Sequence, residues 1–301
     1  MIYDKAINTD PDRFHVIELA EYTTWGIGGP AASITVNSEE ELTGTLEFLA
    51  ENSLQWVVLG KGSNTLAPTE GWHGVVILSG GEFADFSFNG NVLTAGGGAH
   101  LPSMSGAACS LGLTGLVFAV GIPGTAGGAV FMNAGAYGSS VSELVREVKV
   151  LHPQGSIEYL TGEDCGFGYR TSRFQTDDSI ILKVVMKLSY GPGSRDDLRR
   201  NARDILRLRR EKFPLHAPNA GSVFRRPDNG PPPGKLIEDR GLKGFRMGGA
   251  MVSPTHANFI ENTGGATSSD VMQLIELVAR RVREATGITL KREIRRLGER
   301  I

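Results

Sequence analysis

Three features of the 301-residue chain predict an α+β fold, with mixed α/β as the neighbouring class. Short apolar runs rich in β-branched residues alternate with amphipathic helical patterns. Apolar residues make up 40% of the chain, enough for a sizeable core, and the length suggests two domains or a little more. No internal repeat or low-complexity tract interrupts the pattern.

AASITVN (31–37) reads as a strand. Ser38 followed by Glu41 forms a capping box that opens an amphipathic helix through Leu42, Leu46 and Leu49. LQWVVLG (54–60) reads as a buried strand that ends in the turn KGSN. HGVVILS (73–79), ADFSFNG (84–90) and NVLTAGG (91–97) are strands, the last two joined by a hairpin at Asn89-Gly90-Asn91. VREVKVLHP, SIEYLTG and SIILKVVMKLSY add three more strands up to Tyr190. GPGS (191–194) marks a domain boundary, giving domains 1–192 and 193–301. Beyond it come the basic helix RDDLRRNARDILRLRREK, glycine-rich loops, and the helix SSDVMQLIELVARRVREATG. That last helix places Val271, Leu274, Ile275, Val278 and Val282 on one face and stops at Gly287.

The net charge of −2 hides an asymmetry. Residues 1–192 carry nine Lys and Arg against twenty Asp and Glu; residues 193–301 carry twenty-two against thirteen. The basic half suits an anionic ligand, although any single arginine of its long helix is more simply a solvated charge. No helix-turn-helix, RRM or zinc-finger pattern accompanies it, so nucleic acid is not expected. Cys109 and Cys165 lie outside any CxxC or Cys/His cluster, so neither a metal site nor a disulfide framework is expected. MIYDKAINTDPDRF has neither a basic n-region nor an apolar h-region, and a cytoplasmic protein with no membrane partner is expected.

GIPGTAGGAVFMNAGAYG (121–138) holds six glycines, four alanines and no charge. It is too glycine-rich for a membrane span and too apolar for a linker. With LGKGSN it makes two loops able to bring backbone N–H groups close to an anion. Neither loop matches a Walker A or Rossmann fingerprint, so on these residues alone structural turns and a nucleotide site both stay open.

TTWGIGGPA, LGKGSNTL, GLTGLVFAVGIPGTAGGAVFMNAGAYG, YRTSRF, NAGSVFRRP, GKLIEDRGLKG, THANFIEN and LKREIRRLGE occur in one order, from about Tyr22 to Glu299. In that order they resemble the MurB family, the FAD-dependent UDP-N-acetylenolpyruvoylglucosamine reductases of peptidoglycan synthesis, and in particular its shorter branch. The resemblance implies a PCMH-type FAD-binding domain of two subdomains followed by a substrate-binding domain. It implies non-covalent FAD held by Gly60, Lys61, Gly62, Ser63, Asn64, Ile122, Pro123, Gly124, Thr125, Gly127, Gly128, Ala129 and Asn133. Arg170, Ser222 and Glu293 match the family's carboxylate clamp, proton donor and catalytic glutamate. Tyr169 and Lys212 match substrate-binding positions. NADPH is the implied reductant, and UDP-N-acetylglucosamine-enolpyruvate, reduced to UDP-N-acetylmuramate, the implied substrate.

The C-terminal strand carrying Glu293 is expected to reach back to the active site. Two rivals are an oxidase of the same fold and a non-catalytic nucleotide-sugar-binding protein. The first would often tether its flavin, yet neither loop holds a His or Cys; the intact Arg170, Ser222 and Glu293 argue against the second. One departure is Val117, where the family commonly has Glu.

Overall fold

The computed structural model describes residues 4–191 and 194–299. They group into two compact units whose sequence is interleaved. One unit comprises the residues up to Ser33, Lys61–Val75 and Arg209–Glu299; the other comprises Ile34–Gly60 and Val76–Leu208. The division drawn from composition falls on Pro192 and Gly193, outside the described residues. The two divisions differ because the first thirty-three residues and 61–75 pack with the C-terminal stretch.

The second unit is built on a five-stranded antiparallel sheet, in the order Ile157–Thr161, Val145–Leu151, Ile180–Lys187, Val92–Gly96, Phe86–Asn89. Ile180, Leu182, Val184 and Met186 alternate with more exposed residues, as a half-buried strand requires. Val184 lies opposite both Val148 and Ala95, so one apolar row crosses three strands. The helices Leu101–Leu111 and Ala126–Phe131 contribute Leu101, Met104, Ala108, Ala129 and Val130 to the same core. The Asn89–Val92 hairpin forms with Gly90 at φ +58°.

The predicted helix after Ser38 spans Glu39–Glu51. Ser38 accepts the Glu41 N–H at 3.2 Å, but the Glu41 carboxylate reaches back one residue further, to the Asn37 N–H at 2.7 Å. The buried strand predicted over 54–60 is only Trp56–Val58, and none of its three residues is buried.

The first unit is organised around Trp25, fully buried, whose indole N–H donates to the Ile260 carbonyl at 2.8 Å. Around it lie Val271, Leu274, Ile275, Val278 and Val282 of the helix Ser268–Thr286. Thr267 and Asp270 form a reciprocal capping box at its start, and Gly287 closes it at φ +73°. A three-stranded sheet, Arg246–Met247, Ala250–Val252 and Ile260–Asn262, packs Ala250, Val252 and Ile260 into this core.

Candidate active site

In the second unit, the glycine-rich stretch folds into a turn and the six-residue helix Ala126–Phe131. Thr125 caps it, its hydroxyl accepting the Gly128 N–H at 3.2 Å. The Ala126 N–H goes to the Ala99 carbonyl at 2.8 Å and the Gly127 N–H to the Gly97 carbonyl at 2.7 Å. Three N–H groups at this helix start are therefore consumed by the chain itself. The segment offers a small, uncharged wall rather than an anion cradle. Gly127 is glycine because a Cβ would lie 2.9 Å from the Gly97 carbonyl oxygen. Gly128 is exposed, and a Cβ there would meet only the Thr125 hydroxyl, at 3.3 Å.

The KGSN turn has the opposite character. Among the described residues the N–H groups of Gly60, Lys61 and Gly62 donate to no carbonyl. Gly62 sits at φ +57°, and a Cβ would fall 2.2 Å from the Tyr22 carbonyl oxygen. Successive N–H groups on such a turn form a concavity suited to a phosphate oxygen. Taken each by itself, the turn has N–H groups that fit a pyrophosphate, and the bare wall at Gly128 admits a flat ring.

Tyr169 and Arg170 occupy the tip of a tight turn closed by reciprocal Gly168–Thr171 hydrogen bonds of 3.0 and 3.2 Å. Arg170 has φ +57°, a left-handed conformation that costs a non-glycine residue about 1 kcal/mol or more. Its backbone is held there. The Gln175 amide donates to the Arg170 carbonyl at 3.0 Å, and the Asn133 amide donates to the Gly168 carbonyl at 2.8 Å. The guanidinium donates to the Gly135 carbonyl at 2.8 Å and stacks 5.3 Å from the Tyr169 ring centre. Asn133, itself left-handed at φ +42°, is thereby a brace for the Arg170 turn. Tyr137 stands 52% exposed at the tip of the hairpin that Arg170 anchors to, with φ +54°.

In the first unit, Asn64, Ser222 and Glu293 are brought together from three distant stretches. Residues 222–225 run beside 291–293: the Glu293 N–H donates to the Val223 carbonyl at 2.7 Å and the Arg225 N–H to the Lys291 carbonyl at 2.9 Å. On the far side, the Asn64 amide donates to the Glu293 carbonyl at 3.2 Å, and the Arg295 N–H to the Asn64 carbonyl at 2.9 Å. The C-terminal segment therefore returns, but among its described residues the one strand is Arg295–Arg296, paired in parallel with Thr65–Leu66. Glu293 lies just before that pairing.

Arg292 and Arg295, on either side of Glu293 in the chain, share a charged cluster with Arg225 and Glu299. Burial lowers the Arg295 pKa; Glu299 opposes this, while the charges of Arg225 and Arg292 add to it. Burial also works against the Glu299 carboxylate, yet the Arg296 N–H and the Arg292 side chain outweigh it and hold its pKa below the usual range. Ser222 and Glu293 are both half-buried.

Lys212 is exposed at the end of the helix Arg195–Lys212. The next residue, Phe213, stacks on Phe259 with ring centres 5.2 Å apart and lies 5.4 Å from the His256 ring. Within that helix Arg199, Arg200 and Arg207 pair with Asp196, Asp197 and Asp204, all exposed, so much of its positive charge is compensated locally. Val117 is buried with Cys109, Leu198 and Ala202. A glutamate there would place a charge in an apolar cluster.

Cys109 and Cys165 are free and buried, and burial pushes the Cys165 thiol up to about 11, away from reactivity. Among the described residues no three His, Cys, Asp or Glu side chains cluster to hold a metal, and no helix is long and apolar enough to cross a membrane.

The family model described as the UDP-N-acetylenolpyruvoylglucosamine reductase C-terminal domain matches residues 213–297, and that of an FAD binding domain matches 30–161. The UDP-N-acetylenolpyruvoylglucosamine reductase of Heliobacterium modesticaldum is 45% identical over 93% of this chain and 89% of its own length. That of Halalkalibacterium halodurans is 40% identical over 94% and 93%. The crystal structure of the reductase from Thermus caldophilus superposes with a TM-score of 0.82 at 37% identity, covering 94% of this chain and 98% of that one.

Proposed function

The chain belongs to the UDP-N-acetylenolpyruvoylglucosamine reductase family, and from that premise we propose that it reduces UDP-N-acetylglucosamine-enolpyruvate to UDP-N-acetylmuramate. The observation that carries the reading is the backbone pairing that holds Glu293 between Asn64 and Val223, the residue after Ser222. When bound, FAD, reduced by NADPH, supplies the hydride that adds to the terminal carbon of the enolpyruvyl group.

Charge then develops on the neighbouring carbon and its carboxylate. Arg170 supplies a guanidinium whose backbone is clamped before substrate arrives, so little reorganisation is needed as that charge grows. Ser222 gives the proton that quenches it. A serine hydroxyl is a weak acid, and its usefulness depends on being held at the right atom. Glu293, fixed through its own N–H and carbonyl, orients the groups around that transfer. Lys212 and Tyr169 serve substrate binding. The KGSN turn is assigned the FAD pyrophosphate, and Ile122–Ala129 with Asn133 the flavin. The reaction is placed in the cytoplasm, where NADPH and nucleotide-activated sugars are available.

Stopped-flow kinetics test the assignment. NADPH should bleach the flavin of the purified yellow protein, and the enolpyruvyl substrate should restore its colour. Ser222→Ala should leave bleaching intact and slow the recovery by roughly 10²–10⁴-fold. Recovery at the wild-type rate would remove Ser222 from the mechanism, and no recovery in the wild type would remove the substrate.

A further inference from the structure

The extended segment that follows Ser222 is held on two sides, and the second side belongs to a residue outside the mechanism above. Asn258 is 5% exposed and spends its functional groups on the two residues after Ser222. Its carbonyl accepts the Val223 N–H at 2.8 Å. Its side-chain oxygen accepts the Phe224 N–H at 3.1 Å, and its side-chain NH2 donates to the Phe224 carbonyl at 3.0 Å. An amide side chain thus imitates a β-ladder partner for Phe224, with both of its polar ends used.

The Val223 carbonyl, facing the other way, accepts the Glu293 N–H. Displacing residues 223–224 would therefore move Ser222 and Glu293 together. Upstream, Gly221 is at φ +77°, and its N–H is fixed by the Asn219 side chain at 2.9 Å. The loop that presents Asn258 is itself braced. Ser253 accepts the Thr255 and His256 N–H groups at 3.1 and 3.2 Å, and Nδ1 of His256 accepts the Asn258 N–H at 3.3 Å.

We propose that Asn258 is a positioning residue for the proton-transfer step, setting the register of the Ser222–Phe224 segment against the Glu293 segment. The inference rests on the reading of Ser222 as proton donor. Its reach comes from geometry: a shift of about 1 Å in a positioned group costs roughly 10²-fold in rate.

The test is a double-mutant cycle on the holoenzyme, with each half-reaction measured separately. Asn258→Ala should retain flavin, keep the NADPH half-reaction at its wild-type rate, and slow flavin reoxidation by the enolpyruvyl substrate by about 10–100-fold. In a Ser222→Ala background the same substitution should add nothing, because the group it positions is gone. Asn258→Asp, which keeps the size and the acceptor but loses the donated bond, covers the case in which the alanine variant does not fold. Its reoxidation deficit should shrink as pH falls and the carboxyl regains a proton to donate.

Wild-type reoxidation in both Asn258 variants would overturn the proposal, as would equal damage to both half-reactions or full multiplicative slowing in the Ser222→Ala background. Wild-type reoxidation in Ser222→Ala alone would instead overturn the reading of Ser222 on which it rests.

Discussion

Gly127 and Gly128 are neighbours in one short helix, and a methyl group added to each should act in opposite directions. At Gly127 the new Cβ would sit 2.9 Å from the Gly97 carbonyl oxygen and 3.4 Å from its Cα, and both are backbone atoms with little freedom to yield. Overpacking of this kind costs about 1–3 kcal/mol. Alanine in place of glycine in a helix returns about 0.5–1 kcal/mol, so Gly127→Ala should lose up to about 2.5 kcal/mol of stability. At Gly128 the only neighbour is the Thr125 hydroxyl at 3.3 Å, so Gly128→Ala should lie between no change and a gain of up to about 1 kcal/mol in the flavin-free protein. Flavin retention should follow the reverse order. Gly128→Leu and Gly128→Asp should purify colourless, because bulk or negative charge would stand on the face assigned to the ring, while Gly127→Ala should stay yellow once folded. Urea midpoints of the flavin-free proteins and the ratio of flavin to protein absorbance measure both quantities. Full flavin occupancy in both Gly128 variants, or equal destabilisation by the two alanines, would refute the assignment of this wall.

Glu293→Gln should slow flavin reoxidation and spare reduction by NADPH; a loss confined to reduction would contradict its placement. Substrate KM should rise with ionic strength and rise further in Lys212→Met, whereas salt-independent KM would make the basic residues a solubility feature. Burial holds the His256 imidazole below its ordinary 6.5, with nearby Lys243 adding to the effect and Glu238 opposing it. The unfolded chain therefore takes up a proton there before the folded one does. Stability should be flat above about pH 6.5 and fall below it, and the fall should lessen in His256→Gln; parallel profiles for the two proteins would exclude the histidine as the cause. Thr267→Ala removes one half of a reciprocal capping box and should cost about 1 kcal/mol in urea denaturation without altering flavin content.

Much of this architecture is legible wherever a local physical signal is strong. The helix Ser268–Thr286 announces itself through its apolar spacing, its Thr267 cap and Gly287, and the Phe86–Gly96 hairpin through Asn-Gly. The helix Leu101–Leu111 was missed because LPSMSGAACSL is small and mixed, with no clear apolar stripe; only Pro102 and the left-handed Gly112 mark its ends. The interleaving of the two units was not legible, since it depends on pairings across more than two hundred residues. The same holds for the site. Asn64, Ser222 and Glu293 could be picked out only as members of a motif set, because nothing local connects them. Asn258 lies inside the quoted THANFIEN, but an asparagine that substitutes for a strand looks in sequence like any loop asparagine. The glycines carry more than one message, since Gly127 also answers to the chain's own backbone.

The bond from Asn64 to Glu293 spans 229 residues, and translation makes the two ends in that order. While the ribosome works through the intervening sequence, the nascent Thr65–Leu66 edge has no strand to pair with, although the stretches Ile34–Gly60 and Val76–Leu208 are complete well before. An unpaired edge is a template for wrong partners, and closure over so long a loop is slow. The period of greatest exposure to chaperones, proteases and aggregation thus falls late in synthesis, and it ends with the arrival of the same segment that carries Glu293. A chain stopped short of that segment would lack Glu293 and would also keep the edge that marks it for disposal.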